Sequence, residues 1–369
     1  MHGARTIGES WNTGRNNFNL MRLVAAWMVI YGHAGAVTGA PGADLITQLT
    51  KFRFAGGVAV DVFFVISGFL IAASLERNSV RDYLISRGLR IMPALLVCVL
   101  LSALVMGPLL TTSSDYWRHG EVWRYVALNG SLWTNAYSLP GVFETLPRTA
   151  INGSLWTLPI EAKLYLALLV AWLAGVLTPR RYPPLWALAL TAAAALVWWK
   201  HPLPDHLANP ANCAAFFITG TLFWVNRASI RLSMWPLLAL FAMAAALRGT
   251  AWFYPAYFGL LAYGTLFVAM VPRLPGIRRI DLSYGLYLYG WPMQQLALMA
   301  GADTPLRNTM AATIAALICA ALSWFLIEQP ALRLKRRLLG TTPHHPASAV
   351  SGAASGGRQE PAQTTTGER

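Results

Sequence analysis

Long runs of apolar residues, separated by short polar segments, dominate the chain. A run of about twenty apolar residues is long enough to cross a bilayer as a helix. Ten such runs can be drawn, and they predict an all-α, polytopic integral membrane protein with about ten transmembrane helices. The runs cover approximately 20–38, 56–75, 91–110, 158–177, 184–199, 211–226, 233–247, 252–271, 283–301 and 308–328.

The polar positions between these runs indicate how the chain is oriented. With ten spans, 20 of the 29 Lys and Arg residues lie on the side that holds both termini, and 8 lie on the other side. Cytoplasmic loops carry such an excess of Lys and Arg. We therefore expect a cytoplasmic N-terminal segment at 1–19, a transmembrane domain at 20–335 and a polar, disordered cytoplasmic tail at 336–369.

The composition supports this class and excludes others. Hydrophobic residues make up 56% of the chain and charged residues only 12%, about half the charged share of a soluble domain. The net charge of +14 could suggest nucleic acid, but the bias between the two sides accounts for it, so no nucleic-acid partner is expected. The three cysteines lie in separate apolar runs, so neither a disulfide framework nor a metal site is predicted.

Five charged or titratable residues fall inside the predicted spans, namely Arg22, His33, Asp61, Glu161 and Lys163. A charge at mid-bilayer costs on the order of 3 kcal/mol on insertion scales, so each needs a reason to be there. Arg22 and His33 are eleven residues apart, which is about 16 Å along a helix and three turns plus about 20° around it. Both side chains are therefore predicted to point to one face of the first span.

His33, Asp61 and Glu161 each lie a few residues below the outer end of a different predicted span. We expect an imidazole and two carboxylates to meet in one outer layer, although the sequence does not decide which carboxylate contacts His33. Each residue alone also has a structural interpretation, as an interhelical hydrogen bond, a helix brace or a surface group. Lys163 faces away from Glu161 and is expected to snorkel or to pair elsewhere.

A second set of charges is predicted at the cytoplasmic mouth. Arg87 and Arg90 are three residues apart, hence on one helical face, and with Arg22 they would form a clamp for phosphate. Positive-inside bias alone would also explain them. An imidazole beside a carboxylate is suited to remove a hydroxyl proton, and arginines suit an anion. A long, thin donor with a phosphorylated head, such as acyl-coenzyme A, fits both ends.

Six segments carry a resemblance to a known family. In chain order they are NNFNLMRL with His33, GGVAVDVFFVISGFLI, RGLRIMP, SLWTLPIEAKLY, SYGLYLYGWPMQQ and IEQPALRLKRR. With these motifs the chain resembles the membrane-bound acyltransferase 3 family over about residues 15–335. The residues of these motifs are most similar to those of members that act on exopolysaccharide, O-antigen or Nod factor.

The resemblance implies a membrane-bound O-acyltransferase of the bacterial inner (plasma) membrane. It would move an acyl group, usually acetyl, from cytoplasmic acyl-coenzyme A to a hydroxyl of a lipid-linked or exported glycan. His33, Asp61 and Glu161 would be catalytic. Arg22, Arg87 and Arg90 would hold the donor, which is a substrate and not a bound cofactor. The acceptor, the acyl chain length and the oligomeric state are not fixed by it.

The mechanism expected from these residues is direct transfer. His33, oriented by Asp61 or Glu161, would remove the acceptor proton as the hydroxyl attacks the thioester. An acyl-enzyme on Ser67 is less favoured, because Ser67 lies about 9 Å deeper than Asp61 and on another side of the helix. The alternative class is a membrane transporter or glycan flippase that uses the same charges as a relay. No inverted repeat or pair of broken helices supports that class.

Overall fold

The computed structural model describes residues 5–177, 205–274 and 280–339, and most of these residues are helical. The α-helices are α1 (Ile7–Asn12), α2 (Phe18–Val37), α3 (Leu45–Thr50), α4 (Ala55–Arg77), α5 (Val80–Leu101), α6 (Gly107–Leu110), α7 (Gly120–Ser131), α8 (Thr157–Leu173), α9 (Asp205–Val225), α10 (Met234–Ala246), α11 (Phe253–Met270), α12 (Ser283–Met299), α13 (Pro305–Ser323) and α14 (Gln329–Leu339). Shorter turns are the π-helices Ser102–Met106 and Trp324–Glu328 and the 3-10 helices Tyr116–Arg118 and Gly153–Trp156. Strands β1 (Arg5–Thr6) and β2 (Arg231–Leu232) pair antiparallel.

Six helical segments in the described part of the chain are long and apolar enough to cross a membrane. They match the first, second, third, fourth, eighth and tenth predicted spans. The sixth, seventh and ninth spans form α9, α10 and α12, which are not among the six; the 13 residues of α10 extend only about 20 Å. The predicted span 184–199 lies outside the described residues. The structure thus agrees with a helical membrane protein but does not confirm ten spans.

The ends of the predicted domain differ slightly from the helices. The first membrane helix begins at Phe18. The short helix α1 precedes it and starts with a capping box, in which the side chains of Thr6 and Glu9 each accept a hydrogen bond from the other's backbone nitrogen. Ile7 is fully buried, so the segment 1–19 contributes to the core. At the other end α14 continues to Leu339, beyond the predicted boundary at 335. The rest of the predicted tail, 340–369, lies outside the described residues.

The core is organised around α2, which packs between α4 and α12, while α12 packs on α13 and α4 packs on α9. Glycines bring these helices together. A Cβ atom on Gly68 of α4 would lie 1.9 Å from the carbonyl oxygen of Phe217 in α9, and one on Gly220 would lie 2.1 Å from that of Val65. Small residues let membrane helices approach to backbone contact in this way. The polar groups on these helices are therefore held at fixed positions.

The segment at 111–157, between the third and fourth predicted spans, is a folded cap. Tyr116 reaches back and donates to the carbonyl oxygen of Ala103 at 2.6 Å, within the π-helix that ends α5. Asn152 is buried and donates to the carbonyl oxygen of Leu288 in α12 at 2.8 Å. Trp133 is exposed, and Lys163 lies over its ring at 5.0 Å, so Lys163 does pair away from Glu161. The cap thus packs its irregular part on α12.

Candidate active site

A cavity of about 380 Å³ contains all three predicted arginines, and we call it the arginine cavity. Arg22 reaches it from α2, Arg87 and Arg90 from α5, and Glu161 from α8. Helices distant in the sequence therefore bring the predicted donor clamp together. The remaining lining residues are Val60, Phe63, Phe64, Ser67, Leu70, Ile71, Ser86, Ile91, Thr157, Leu158, Tyr165, Asp281, Ser283, Tyr284, Tyr287, Trp324, Leu332 and Lys335.

Two of the three arginines are already paired with carboxylates. Arg90 contacts Asp281 at 2.5 Å and Glu328 at 3.3 Å, and Arg22 lies 3.8 Å from Asp281. Burial favours a higher pKa for Asp281, but Arg90 and Arg22, helped by Ser283, outweigh it and hold the pKa below the ordinary 3.8. The charge of Arg90 is thus shared between two carboxylates, and its role as a phosphate ligand stays a prediction.

Arg87 differs from its two neighbours. Within the described ranges its guanidinium forms no ion pair, and its Nε atom is buried without a hydrogen-bond partner. A buried donor without a partner is costly, and an anion bound in this cavity would satisfy it. Arg87 is thus the arginine of this cavity whose charge is most available to an anion.

Glu161 lies in the arginine cavity and not beside His33, which contradicts the predicted layer. Its Oε1 atom accepts a hydrogen bond from Ser67 at 3.0 Å and another from the hydroxyl of Tyr165, one turn further along α8. The 3-10 helix Gly153–Trp156 runs directly into α8, so the span starts earlier than expected. Glu161 is consequently about 12 Å from the start of that segment, deeper than the sequence suggested.

His33 lines a separate cavity of about 750 Å³, which we call the histidine cavity. The Nδ1 atom of His33 lies 2.7 Å from the carbonyl oxygen of Val29. Because a carbonyl oxygen only accepts, Nδ1 carries the proton and Nε2 keeps its lone pair. The other lining residues are Gly32, Ala36, Pro41, Gly42, Asp44, Thr47, Lys51, Phe52, Arg53, Phe54, Arg148, Gly153 and Trp291.

Two aromatic rings hold the imidazole in place. Phe54 and Trp291 meet it edge to face, with ring centroids 5.1 and 5.0 Å away. Gly56 leaves the space that the ring needs, because a Cβ atom there would lie 3.2 Å from Cε1 of His33. The backbone and these rings therefore orient His33, a task that the sequence assigned to a carboxylate.

Asp61 is engaged elsewhere, so it does not orient His33, which was one of the two alternatives that the sequence left open. It is fully buried and forms an ion pair with Arg53, whose Nε and Nη2 atoms lie 2.8 and 2.9 Å from its two oxygens. Asn212 of α9 and Tyr257 of α11 each donate to Asp61 at 2.7 Å. Three hydrogen bonds from three neighbouring segments, together with the ion pair to Arg53, occupy both oxygens of this carboxylate. Asp61 therefore fixes Arg53 in the wall of the histidine cavity.

Measured along the axis of α4, the three predicted catalytic residues lie at different depths in the helix bundle. His33 is level with Gly56, Asp61 is five residues further on, and Glu161 bonds to Ser67, six residues beyond that. These steps correspond to about 7.5 and 9 Å along the helix. The imidazole and the two carboxylates therefore do not share one layer, as predicted, but lie one below another at three depths.

A thin wall separates the two cavities. Tyr287 lines the arginine cavity and Trp291 the histidine cavity, and they are one turn apart on α12, about 6 Å. The hydroxyl of Tyr287 lies 2.6 Å from the hydroxyl of Thr157 and 2.6 Å from the carbonyl oxygen of Ser154. The indole of Trp291 donates to the carbonyl oxygen of Ala150 at 2.9 Å. The cavities are thus stacked along the same helices.

Sequence reasoning missed several residues of the two cavities. Asp281 and Glu328, which neutralise Arg90, were not singled out. Arg53 and Arg148 were counted only as part of the external loops. The sequence did contain a signal for Asp281. This residue directly precedes an apolar run, where a charged side chain is energetically costly and so needs a reason to be there. For Arg148 no local pattern indicates that the loop folds back to the site.

Comparisons with known proteins relate the chain to acyltransferases. Residues 15–328 match the model of a family described as an acyltransferase domain. The chain is similar to an O-acetyl transferase of Shigella phage Sf6, with 30% identity over 328 residues that cover 85% of this chain and 95% of the relative. It is also similar to nodulation protein 10 of Rhizobium leguminosarum bv. viciae, with 29% identity over 370 residues, 88% and 95% of the two chains. No solved structure matches the chain.

Proposed function

The chain belongs to the acyltransferase 3 family and is an acyltransferase, and we propose that it transfers an acetyl group from cytoplasmic acetyl-coenzyme A to a hydroxyl of a lipid-linked or exported glycan. The observation that carries the proposal is the pair of stacked cavities. One is lined by arginines, the other by a histidine with a free Nε2, and α2 contributes to both. O-acyl transfer itself agrees with the family and with the name of the phage relative.

The arginine cavity is the proposed donor site. Arg87 would bind a donor phosphate, and Arg22 would contribute from the opposite wall. Arg90 would keep the wall in shape through Asp281 and Glu328. Arginine suits this task because its fork of donors matches phosphate oxygens. With both termini in the cytoplasm, as the charge bias predicts, this cavity would open to the compartment that supplies the donor.

The thioester end of the donor would extend along α2 towards His33. The eleven residues between Arg22 and His33 correspond to about 16 Å, which requires a long, narrow donor. The hydrogen bond between Tyr287 and Thr157 crosses this route and would have to open for the donor to pass. We therefore propose that the pantetheine arm of the donor passes between α2, α8 and α12, and that the acceptor enters the histidine cavity from the outer side.

The chemistry proposed at His33 is direct transfer. The acceptor oxygen attacks the thioester carbonyl carbon while Nε2 of His33 takes the hydroxyl proton. As the tetrahedral intermediate collapses, the new C–O bond remains, the C–S bond breaks, and the imidazolium returns the proton to the leaving sulfur. The products are the ester and coenzyme A thiol, and His33 is again neutral. Val29 fixes the tautomer through Nδ1, the role that a carboxylate has in catalytic triads.

The test uses purified protein, labelled acetyl-coenzyme A and glycan isolated from the cells that express the protein, stripped of its esters. We expect release of thiol that depends on the glycan, with the label recovered on the glycan. His33→Gln should lower kcat by about 100-fold or more, the usual size of general-base catalysis. The matched control is His119→Gln, which removes an exposed imidazole of the cap.

Two results would contradict the proposal. The first is a His33→Gln protein that acylates the glycan as fast as the wild type. The second is movement of the glycan across vesicles that contain the wild-type protein without any release of thiol, which would indicate a transporter or flippase.

A further inference from the structure

The histidine cavity carries positive charges that the transfer reaction described above does not use. Its lining includes Lys51, Arg53 and Arg148 together with one carboxylate, Asp44. An acceptor hydroxyl is neutral, and the donor phosphates have their own cavity. These cations therefore raise the question of which group they face, and the answer rests on the proposed function.

Asp44 forms no ion pair with these cations among the described residues, and its oxygens accept hydrogen bonds from neutral donors. Its Oδ1 atom accepts hydrogen bonds from the backbone nitrogens of Thr47 and Ala55 at 3.0 and 3.1 Å, and its Oδ2 atom accepts one from the hydroxyl of Thr47. Asp44 is the N-cap of α3, and it also ties α3 to the start of α4. It is 6% exposed, so it offers little to a ligand.

The charge of Arg53 is balanced by the buried Asp61, with which its guanidinium forms an ion pair. Lys51 and Arg148 remain, and both are exposed residues that line the cavity. In the part of the chain that the structure describes, neither side chain has a hydrogen bond or an ion pair. Among cavity-lining cations of this site, these two are thus available to an incoming anion.

The backbone of Arg148 is held with unusual care for a residue outside any helix. Gln295 of α12 is fully buried, and its Nε2 atom donates to the carbonyl oxygens of Arg148 at 2.6 Å and Ala150 at 3.0 Å. Trp291, which also packs against His33, donates to Ala150. The same helix therefore fixes the Arg148 backbone and one side of the imidazole. The backbone of Arg148 is thus fixed beside the cavity, while its side chain is exposed and accessible to an incoming anion.

Lys51 is positioned by the C-terminal cap of α3. It is the C-cap of α3 and adopts a left-handed conformation with φ of 53°, a position at which glycine or asparagine is usual. Its backbone nitrogen donates to the carbonyl oxygen of Thr47 at 2.8 Å, which closes the helix end at the cavity. The left-handed backbone at this position sets where the lysine side chain leaves the chain at the histidine cavity.

We infer that the acceptor carries an anionic group, a carboxylate of an acidic sugar or a phosphate, and that Arg148 and Lys51 bind this group while the hydroxyl to be acylated meets His33. Arg148 would bind two oxygens of the anion in a fork, and Lys51 would add a point charge. A neutral acceptor makes no ion pair with either cation and is bound less well. The charge also attracts anionic acceptors from a distance, an effect that weakens with salt.

The experiment compares three forms of the ester-free glycan from the cells that express the protein. One form is untreated, one has its carboxyl groups chemically reduced to alcohols, and one is released enzymatically from its lipid phosphate. The acceptor KM and kcat are measured for the wild type, Arg148→Gln, Lys51→Gln and the control Arg124→Gln. Arg124 is an exposed arginine on α7 of the same cap and does not line the cavity.

We expect that one of the two treatments raises the wild-type KM about tenfold or more with little change in kcat. An increase after reduction identifies a carboxylate, and an increase after release identifies a phosphate. Arg148→Gln should give the same high KM with treated and untreated glycan, Lys51→Gln a smaller increase, and Arg124→Gln none. Arg148→Lys should restore part of the discrimination.

The inference is overturned if the wild type uses all three glycans with equal KM, a result that does not depend on any variant folding. It is also overturned if Arg148→Gln still discriminates between them as the wild type does. In both cases acyl transfer that depends on His33 would persist, so the proposed function would stand. Failure of the proposed function looks different, because no glycan would then be acylated.

Discussion

Arg87 and Arg90 lie one turn apart on α5, yet we predict that replacing them has opposite consequences. Arg90 is bound to Asp281 and Glu328, whereas Arg87 has no carboxylate partner among the described residues. The variants Arg87→Gln and Arg90→Gln each remove one positive charge from the arginine cavity. Arg87→Gln should weaken donor binding in a stable protein, and Arg90→Gln should weaken the fold.

The magnitudes follow from the contacts. A hydrogen bond to a charged group contributes about 1.5–3 kcal/mol, and each 1.4 kcal/mol is tenfold. Arg87→Gln should therefore raise the KM for acetyl-coenzyme A about 10- to 100-fold. Arg90→Gln leaves Asp281 and Glu328, with side chains 14% and 2% exposed, without their partner. Removing one member of a buried ion pair costs about 3–5 kcal/mol, which should lower the melting temperature by several degrees or more.

The assays are donor KM in detergent micelles and thermal unfolding of the same preparations. Arg81→Gln is the matched control, since Arg81 is an exposed arginine at the start of the same helix and does not line the cavity. The reasoning is refuted if Arg87→Gln leaves the donor KM unchanged. It is equally refuted if Arg90→Gln melts like the wild type.

The pH dependence of Arg90→Gln provides a second readout. Because Arg90 and Arg22 hold the pKa of Asp281 below 3.8, ionised Asp281 contributes stability above that pH, and the contribution is lost as the pH falls through its folded pKa. Without Arg90 that contribution shrinks. The gap in melting temperature between wild type and Arg90→Gln should therefore be widest near neutral pH and narrow below about pH 4. A gap that is constant down to pH 3 would contradict this.

Three further outcomes are expected. Asp61→Asn removes the charge that holds Arg53, so thermal unfolding should show a loss of about 3–5 kcal/mol, and a variant as stable as the wild type would contradict the assigned bracing role. Ser67→Ala removes one hydrogen bond to Glu161, about 1 kcal/mol, so steady-state assays should still show acyl transfer. An acylated Ser67 found by mass spectrometry would overturn direct transfer. Gly220→Ala places a methyl group against the backbone of α4 and should cost about 1–3 kcal/mol or more in unfolding experiments, and unchanged stability would argue against that close approach.

The sequence predicted the elements of the site better than their pairing. Helices at the first four and at the eighth and tenth spans follow from runs of apolar residues, which any helix in a bilayer must have. Arg22 and His33 share one continuous helix, so their separation of about 16 Å follows from helix geometry alone. The meeting of Arg22 with Arg87 and Arg90 was also predicted, because all three lie at the same end of neighbouring spans.

Tertiary structure decided which charges meet. A shift in the start of one span moved Glu161 from the layer of His33 to the arginine cavity, and no pattern within the span indicates where the preceding 3-10 helix begins. Asp61 pairs with Arg53 because close packing of α4, α9 and α11 brings Asn212 and Tyr257 to the same carboxylate. Periodicity depends on neighbours along the chain and can be computed from the sequence. Charge pairing depends on the axial offset between distant helices and on how loops return to them, which only the packed structure fixes.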